Sequence, residues 1–123
     1  MELTKELMGA SVAPLILAIL KDGESYGYAL IQRVRALSSG EIEWTDGMLY
    51  PVLHRLEEQQ LIESYWKTAE NGRKRKYYLM KDSGHKALAI QREQWRLVSQ
   101  TLDQLWGDVT CSTLTKRCVD GVA

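Results

Sequence analysis

The sequence predicts a mainly α, α+β fold: a winged helix-turn-helix followed by a long C-terminal dimerisation helix. Three observations predict it. The segments run helix, helix, short strand, helix, β-hairpin, long helix. Asn71-Gly72, a pair that tolerates positive φ, separates two strand-like runs and is followed at once by four cations, Arg73-Lys74-Arg75-Lys76. From Asp82 to about Trp106, apolar residues recur at heptad spacing.

Leu3, Leu7, Leu15, Ile16, Ile19 and Leu20 lie at helical spacing, and Asp22-Gly23 closes that segment. Pro14 sits inside it; lacking an N–H and crowding the preceding turn, it either kinks one helix or opens the second of two. The next helix is predicted from Ser25, as its cap, to Leu37. Leu30, Val34 and Leu37 share one face, and Ser38-Ser39-Gly40 ends it. Glu41-Ile42-Glu43-Trp44 alternates polar and apolar residues, which predicts a short edge strand. Thr45 or Asp46 then caps a helix reaching about Gln60. It turns Leu49, Val52, Leu53 and Leu56 inward and Tyr50, His54, Glu57 and Glu58 outward. Leu61 to Trp66 and Lys76 to Met80 predict a hairpin with an exposed basic tip. On the last helix Leu88, Trp95, Val98, Leu102 and Leu105 take heptad a and d positions, with Gln91 the polar exception. The predicted organisation is a winged unit over 1–81, a dimerisation helix over 82–106 and a flexible tail over 107–123.

A chain of 123 residues has room for one core and no separate catalytic domain. No apolar run approaches the roughly 20 residues of a membrane span, and the start MELTKELM lacks the features of an export signal. A cytoplasmic protein without a membrane partner is expected. Sixteen cations balance sixteen carboxylates, so any attraction for a polyanion must come from local charge. Cys111 and Cys118 have no His or acidic cluster beside them, and neither a metal nor a cofactor is expected. His54 and His85 have no nucleophile or carboxylate at suggestive spacing, so an enzyme is not expected.

Three features carry functional weight, each with a plainer alternative. The run Gly72-Arg73-Lys74-Arg75-Lys76-Tyr77-Tyr78 suits phosphate neutralisation, or it is a charged turn that protects a sheet edge. The helix beginning Asp46-Gly47-Met48-Leu49-Tyr50-Pro51 is expected to project Met48, Tyr50 and His54 outward near free backbone donors, unless Tyr50 merely covers the core. Trp95 stands at the centre of the last helix's apolar face. A partner helix is needed to bury that stripe, and two indoles near a two-fold axis could hold a planar aromatic ligand; simple packing is the alternative.

Together Tyr26-Gly27-Tyr28, GMLYPVLHRLE, Leu61-Ile62, GRKRKYYLMKDSG and the placement of Trp95 make the chain resemble the PadR family of bacterial regulators. The likeness is to the shorter members with one C-terminal helix and covers about residues 4 to 106. It implies a ligand-responsive repressor that binds a palindromic site on double-stranded DNA as a homodimer. The implied DNA contacts are Tyr26, Thr45, Met48, Tyr50, His54, Arg73, Lys74, Arg75 and Lys76. The implied interface and ligand residues are Leu88, Gln91, Trp95, Val98, Leu102 and Leu105, with Trp95 placed like the pore tryptophan of multidrug-responsive members. Four positions depart from the family pattern. Met48 stands for a threonine, Gln60 for the glycine that ends the recognition helix, Lys81 for a capping threonine, and Pro14 interrupts the first helix; Asp82 is expected to take over the cap. A winged-helix module that binds another protein is the alternative, favoured by the zero net charge; salt dependence separates the two.

Overall fold

In the computed structural model, which describes residues 1–107, Thr4 starts the first helix: its Oγ1 accepts from the Leu7 N–H at 3.2 Å. Helix α1 (Lys5–Leu20) then runs through Pro14 as one helix. It buries Val12, Ile16, Leu17, Ile19 and Leu20, whereas Leu7 stays in solvent. Helix α2 (Gly27–Leu37) adds Leu30 and Val34, and α3 (Asp46–Glu58) adds Leu49, Leu53 and Leu56. Burying each such side chain contributes about 1.5–3 kcal/mol, set against the chain entropy of ordering it.

The sheet corrects two sequence expectations. Its third strand is not Glu41–Trp44 but β1 (Ser25–Tyr26), so Ser25 is a strand residue and Tyr26 is the uncapped N-cap of α2. The 41–44 alternation has another cause: Trp44 is buried in the core, and the Ile42 N–H is held at 2.9 Å by the Ser38 hydroxyl that closes α2. Strand β2 (Ile62–Thr68) pairs antiparallel with β3 (Lys74–Met80), and β1 pairs with the other edge of β3 through Ser25↔Tyr78 and Tyr26↔Tyr77.

The hairpin is also longer than expected. Thr68 pairs with Lys74, which makes Lys74, Arg75 and Lys76 strand residues and leaves only Ala69–Arg73 as the tip. Gly72 takes φ +83°, its N–H bonds the Ala69 carbonyl, and Asn71 Oδ1 accepts from the Arg73 N–H at 3.0 Å.

Helix α4 (Asp82–Trp106) opens with Asp82 as its first helical residue, not as its cap. Its start is tied instead to the turn after α3. Gln60 holds φ +64° where a glycine would sit without strain; its carbonyl accepts from the Ser83 hydroxyl and its Oε1 from Lys81 Nζ at 2.8 Å. A Cβ on Gly84 would lie 2.2 Å from the Leu61 carbonyl oxygen, so only glycine permits this approach. Leu88, expected in the unpaired stripe, is buried in the core with Ile62 and Tyr78.

The chain forms two compact units, Met1–Ala89 and Ile90 onward. In the second, the rest of α4 has no buried residue among those described. Gln91 and Leu102 are half-buried, while Trp95, Val98 and Leu105 are exposed. Arg96 pairs with Glu93 one turn away. No helix among the described residues is long and apolar enough to cross a membrane. The predicted tail, with Cys111 and Cys118, lies outside the described residues beyond Gly107.

Candidate nucleic-acid interface

The most distinctive surface of the first unit is an open cleft of about 680 Å³ between the start of α2, the outer face of α3 and the hairpin. Seven of the sequence-predicted contacts meet there: Tyr26, Tyr50, His54, Arg73, Lys74, Arg75 and Lys76. Two do not. Thr45 is the N-cap of α3, its Oγ1 accepting from the Met48 N–H at 3.3 Å, and Met48 turns partly onto the core instead of projecting outward.

Tyr50 reaches the cleft because residue 27 has no side chain. A Cβ on Gly27 would stand 2.2 Å from the Tyr50 hydroxyl oxygen, so the ring of α3 lies directly on the first residue of α2. Pro51 follows Tyr50 inside the helix, with Gly47 four residues before it at the place its ring crowds.

The hairpin's two faces differ. On the outer face Glu24 accepts from the Tyr65 hydroxyl and from Lys67 Nζ at 3.2 Å. The Tyr65 hydrogen bond and then Lys67 hold the Glu24 carboxyl below the usual carboxylate range, while Glu24 pushes both the Tyr65 hydroxyl and the Lys67 ammonium up. Tyr65 stacks on Tyr77 at 6.0 Å, Tyr77 meets Tyr26 edge-on at 5.2 Å, and the Arg75 guanidinium lies 4.4 Å from the Tyr26 ring centre. Arg75 is therefore held at the rim by an aromatic row anchored on Glu24.

On the inner face Lys76 sits 3.8 Å from Glu57 Oε1 and over the ring of Tyr78, and Glu57 also accepts from the Ser64 hydroxyl. Arg73, Lys74 and Arg75 have no carboxylate at ion-pair distance among the described residues. A chain of zero net charge thus concentrates unpaired cations at one rim. Tyr28 and Tyr78, quoted in the sequence motifs but not among the predicted contacts, also line the cleft, and so does Trp66, which sequence reasoning missed. The pairing Trp66↔Lys76 would have found Trp66, had the hairpin's full length been legible.

The chain is similar to known regulators of transcription. Residues 16–90 match the model of the Transcriptional regulator PadR-like family. The transcriptional regulator YqjI of Escherichia coli is 32% identical over 88 residues, which are 72% of this chain and 41% of that one; the chain spans about two fifths of its length. Among solved structures, a transcriptional regulator from Clostridium thermocellum is similar with a TM-score of 0.76 at 26% identity, covering 83% of this chain and 96% of that one. A PadR family transcription regulator from Clostridium difficile gives 0.68 at 30% identity, over 77% and 97%. These are regulators of transcription, not enzymes. By its matched sequence, its three-helix and hairpin fold and its long α4, the chain belongs to the PadR-like family of transcriptional regulators.

Proposed function

We propose that the chain binds double-stranded DNA as a homodimer in the cytoplasm and represses transcription from a palindromic operator. The observation that carries this reading is the cleft, where the unpaired cations Arg73, Lys74 and Arg75 face the exposed side chains of Tyr50 and His54. Residues 1–81 form the DNA-binding unit, and α4 over 82–106 brings two such units together. The start of α3, fixed by the Thr45 cap and with Met48 in its first turn, enters the major groove; Tyr26 and Tyr50 meet the backbone, and the hairpin lies along the phosphates as the wing. In a dimer the two recognition helices face half-sites about 34–36 Å apart or a multiple of it.

Gln91, Trp95, Val98, Leu102 and Leu105 supply the partner surface, with Leu88 anchoring its start in the core. Trp95 in that surface offers a planar aromatic effector a ring to stack on, and an effector that favours a different helix spacing lowers DNA affinity by the same factor by which DNA lowers the affinity for the effector. Fluorescence titration of planar phenolic compounds against the unaltered protein and Trp95→Ala, with DNA binding followed in parallel, tests that part; equal affinities refute it.

The main test is the combined change of Arg73, Lys74, Arg75 and Lys76 to Ala. Affinity for every duplex should fall, and the slope of log affinity against log salt should flatten by up to about four, roughly one per lost phosphate contact. Unchanged affinity and slope would remove the wing from the DNA interface and leave a protein partner as the better reading.

A further inference from the structure

Trp66 is placed where the fold gives it nothing to cover. Side chains on β2 alternate between faces. On the face toward α3, Ile62 is buried, Ser64 is half-buried and bonded to Glu57, and Trp66, the next in line, is 65% exposed. The hairpin has by then outrun the core. The exposed indole lines one cleft with the exposed rings of Tyr28 and Tyr50, and an aromatic surface shared in this way is one that a partner can bury.

The two faces of the wing sharpen the point. Tyr65 and Lys67, on the outer face, are engaged by Glu24 and Tyr77. Trp66, on the inner face, lines the open cleft with Tyr50 and His54, paired across the ladder with Lys76 and close to the free cations Arg73 and Lys74. A nucleic-acid strand offers matching chemistry: anionic phosphates separated by the apolar faces of deoxyribose rings. Cations take the former; an indole covers the latter, with its Nε1–H free to donate to a phosphate oxygen.

We infer that Trp66 packs against a deoxyribose of the duplex held by Arg73, Lys74 and Lys76, as an uncharged contact that sets how closely the wing seats. This rests on the DNA-binding reading above and assigns to that site a residue whose signature differs from that of every cation around it. Removing a cation costs affinity and flattens the salt slope; removing a neutral contact costs affinity at every salt concentration alike.

The test measures binding of mixed-sequence duplexes over a salt series for the unaltered protein, Trp66→Ala, Trp66→Phe and Lys74→Ala, with circular dichroism confirming the fold of each. Trp66→Ala should bind about tenfold more weakly with an unchanged slope, Trp66→Phe should recover most of the loss, and Lys74→Ala should flatten the slope by about one. Wild-type affinity in Trp66→Ala overturns the inference. So does a loss accompanied by a flattened slope, since the change would then have acted by displacing the neighbouring cations. If the unaltered protein binds no duplex, the DNA-binding reading itself falls, a result distinct from either.

Discussion

Up to Ala89, three helices, Trp44 in the loop before α3, the hairpin and the first turns of α4 share fourteen buried apolar residues; from Ile90 to Trp106 the same α4 carries Ile90, Trp95, Leu97, Val98, Leu105 and Trp106 and buries none of them. The second stretch is as rich in large apolar side chains as the first but has no core of its own. An apolar stripe thus speaks of a partner only where the monomer has not already consumed it. Leu88 belongs to the stripe by heptad spacing and to the core by burial, at 6% exposure. Ile90 and Leu97 add a second lesson. At 3.6 residues per turn each lies roughly 160° around the helix from its stripe neighbour, Leu88 or Trp95, so one helix-to-helix seam cannot cover both faces.

The comparison breaks most easily at Leu102. Leu102→Glu should give monomers by light scattering and abolish the rise of the melting temperature with protein concentration that a dimer shows. Leu97→Glu should weaken the dimer as well if the partner covers more than one face, and leave it intact if a single seam suffices. Leu88→Ala should act differently, lowering the stability of the first unit by about 2–5 kcal/mol as a core cavity does. A Leu88→Ala protein with unaltered unfolding would move Leu88 out of the core.

Next in size is Gly84, where α4 leaves the first unit's sheet. Its added Cβ would meet the Leu61 carbonyl oxygen, backbone that cannot step aside as a flexible side chain could. Gly84→Ala should therefore cost about 1–3 kcal/mol in denaturant unfolding, although alanine is the better helix former. An equal or higher stability would show that the packing of α4 on Leu61 within the first unit is looser than the geometry implies.

The contrast also explains what the sequence could and could not disclose. The faces of α3 and the extent of α4 follow from periodicity, which a single chain carries in itself. Strand β1 is two residues long and exists only by pairing with β3, so no local pattern announces it. Glu41–Trp44 has the alternation of a strand, but Trp44 is drawn into the core while the Ile42 N–H goes to the Ser38 hydroxyl. Met48 reads as outward from its neighbours, yet half of it closes over the core. Trp66 reads as a strand end, and only the register of the longer hairpin places it in the cleft.

A smaller effect is expected at Gly27, within the first unit but at its working edge. Gly27→Ala forces the Tyr50 ring off α2. Because Tyr50 is partly exposed, the ring can swing outward, so stability should change little while duplex affinity drops about tenfold, or 1.4 kcal/mol. Stability and affinity falling together would mean that Tyr50 serves the core more than the cleft.

The subtlest difference between the regions should appear at alkaline pH, through Tyr78. Its ring belongs to the first unit's core, and burial, with Glu57 and then Tyr50 adding repulsion, pushes its hydroxyl from the ordinary 10.0 up to about 12. The unfolded chain therefore gives up this proton first as pH rises. The contribution is fully present below pH about 10 and is lost as pH rises from there to about 12. Tyr65 is also pushed up, by its hydrogen bond to Glu24, so the informative quantity is the difference between the unaltered protein and Tyr78→Phe. That difference should shift in favour of Tyr78→Phe as pH climbs through the window. It should do so equally in the Leu102→Glu background, since the titrating group lies in the region that needs no partner. A pH-independent difference would show that the Tyr78 hydroxyl is hydrated in the folded chain. A shift confined to the dimer would show that the titration of Tyr78 depends on dimer formation.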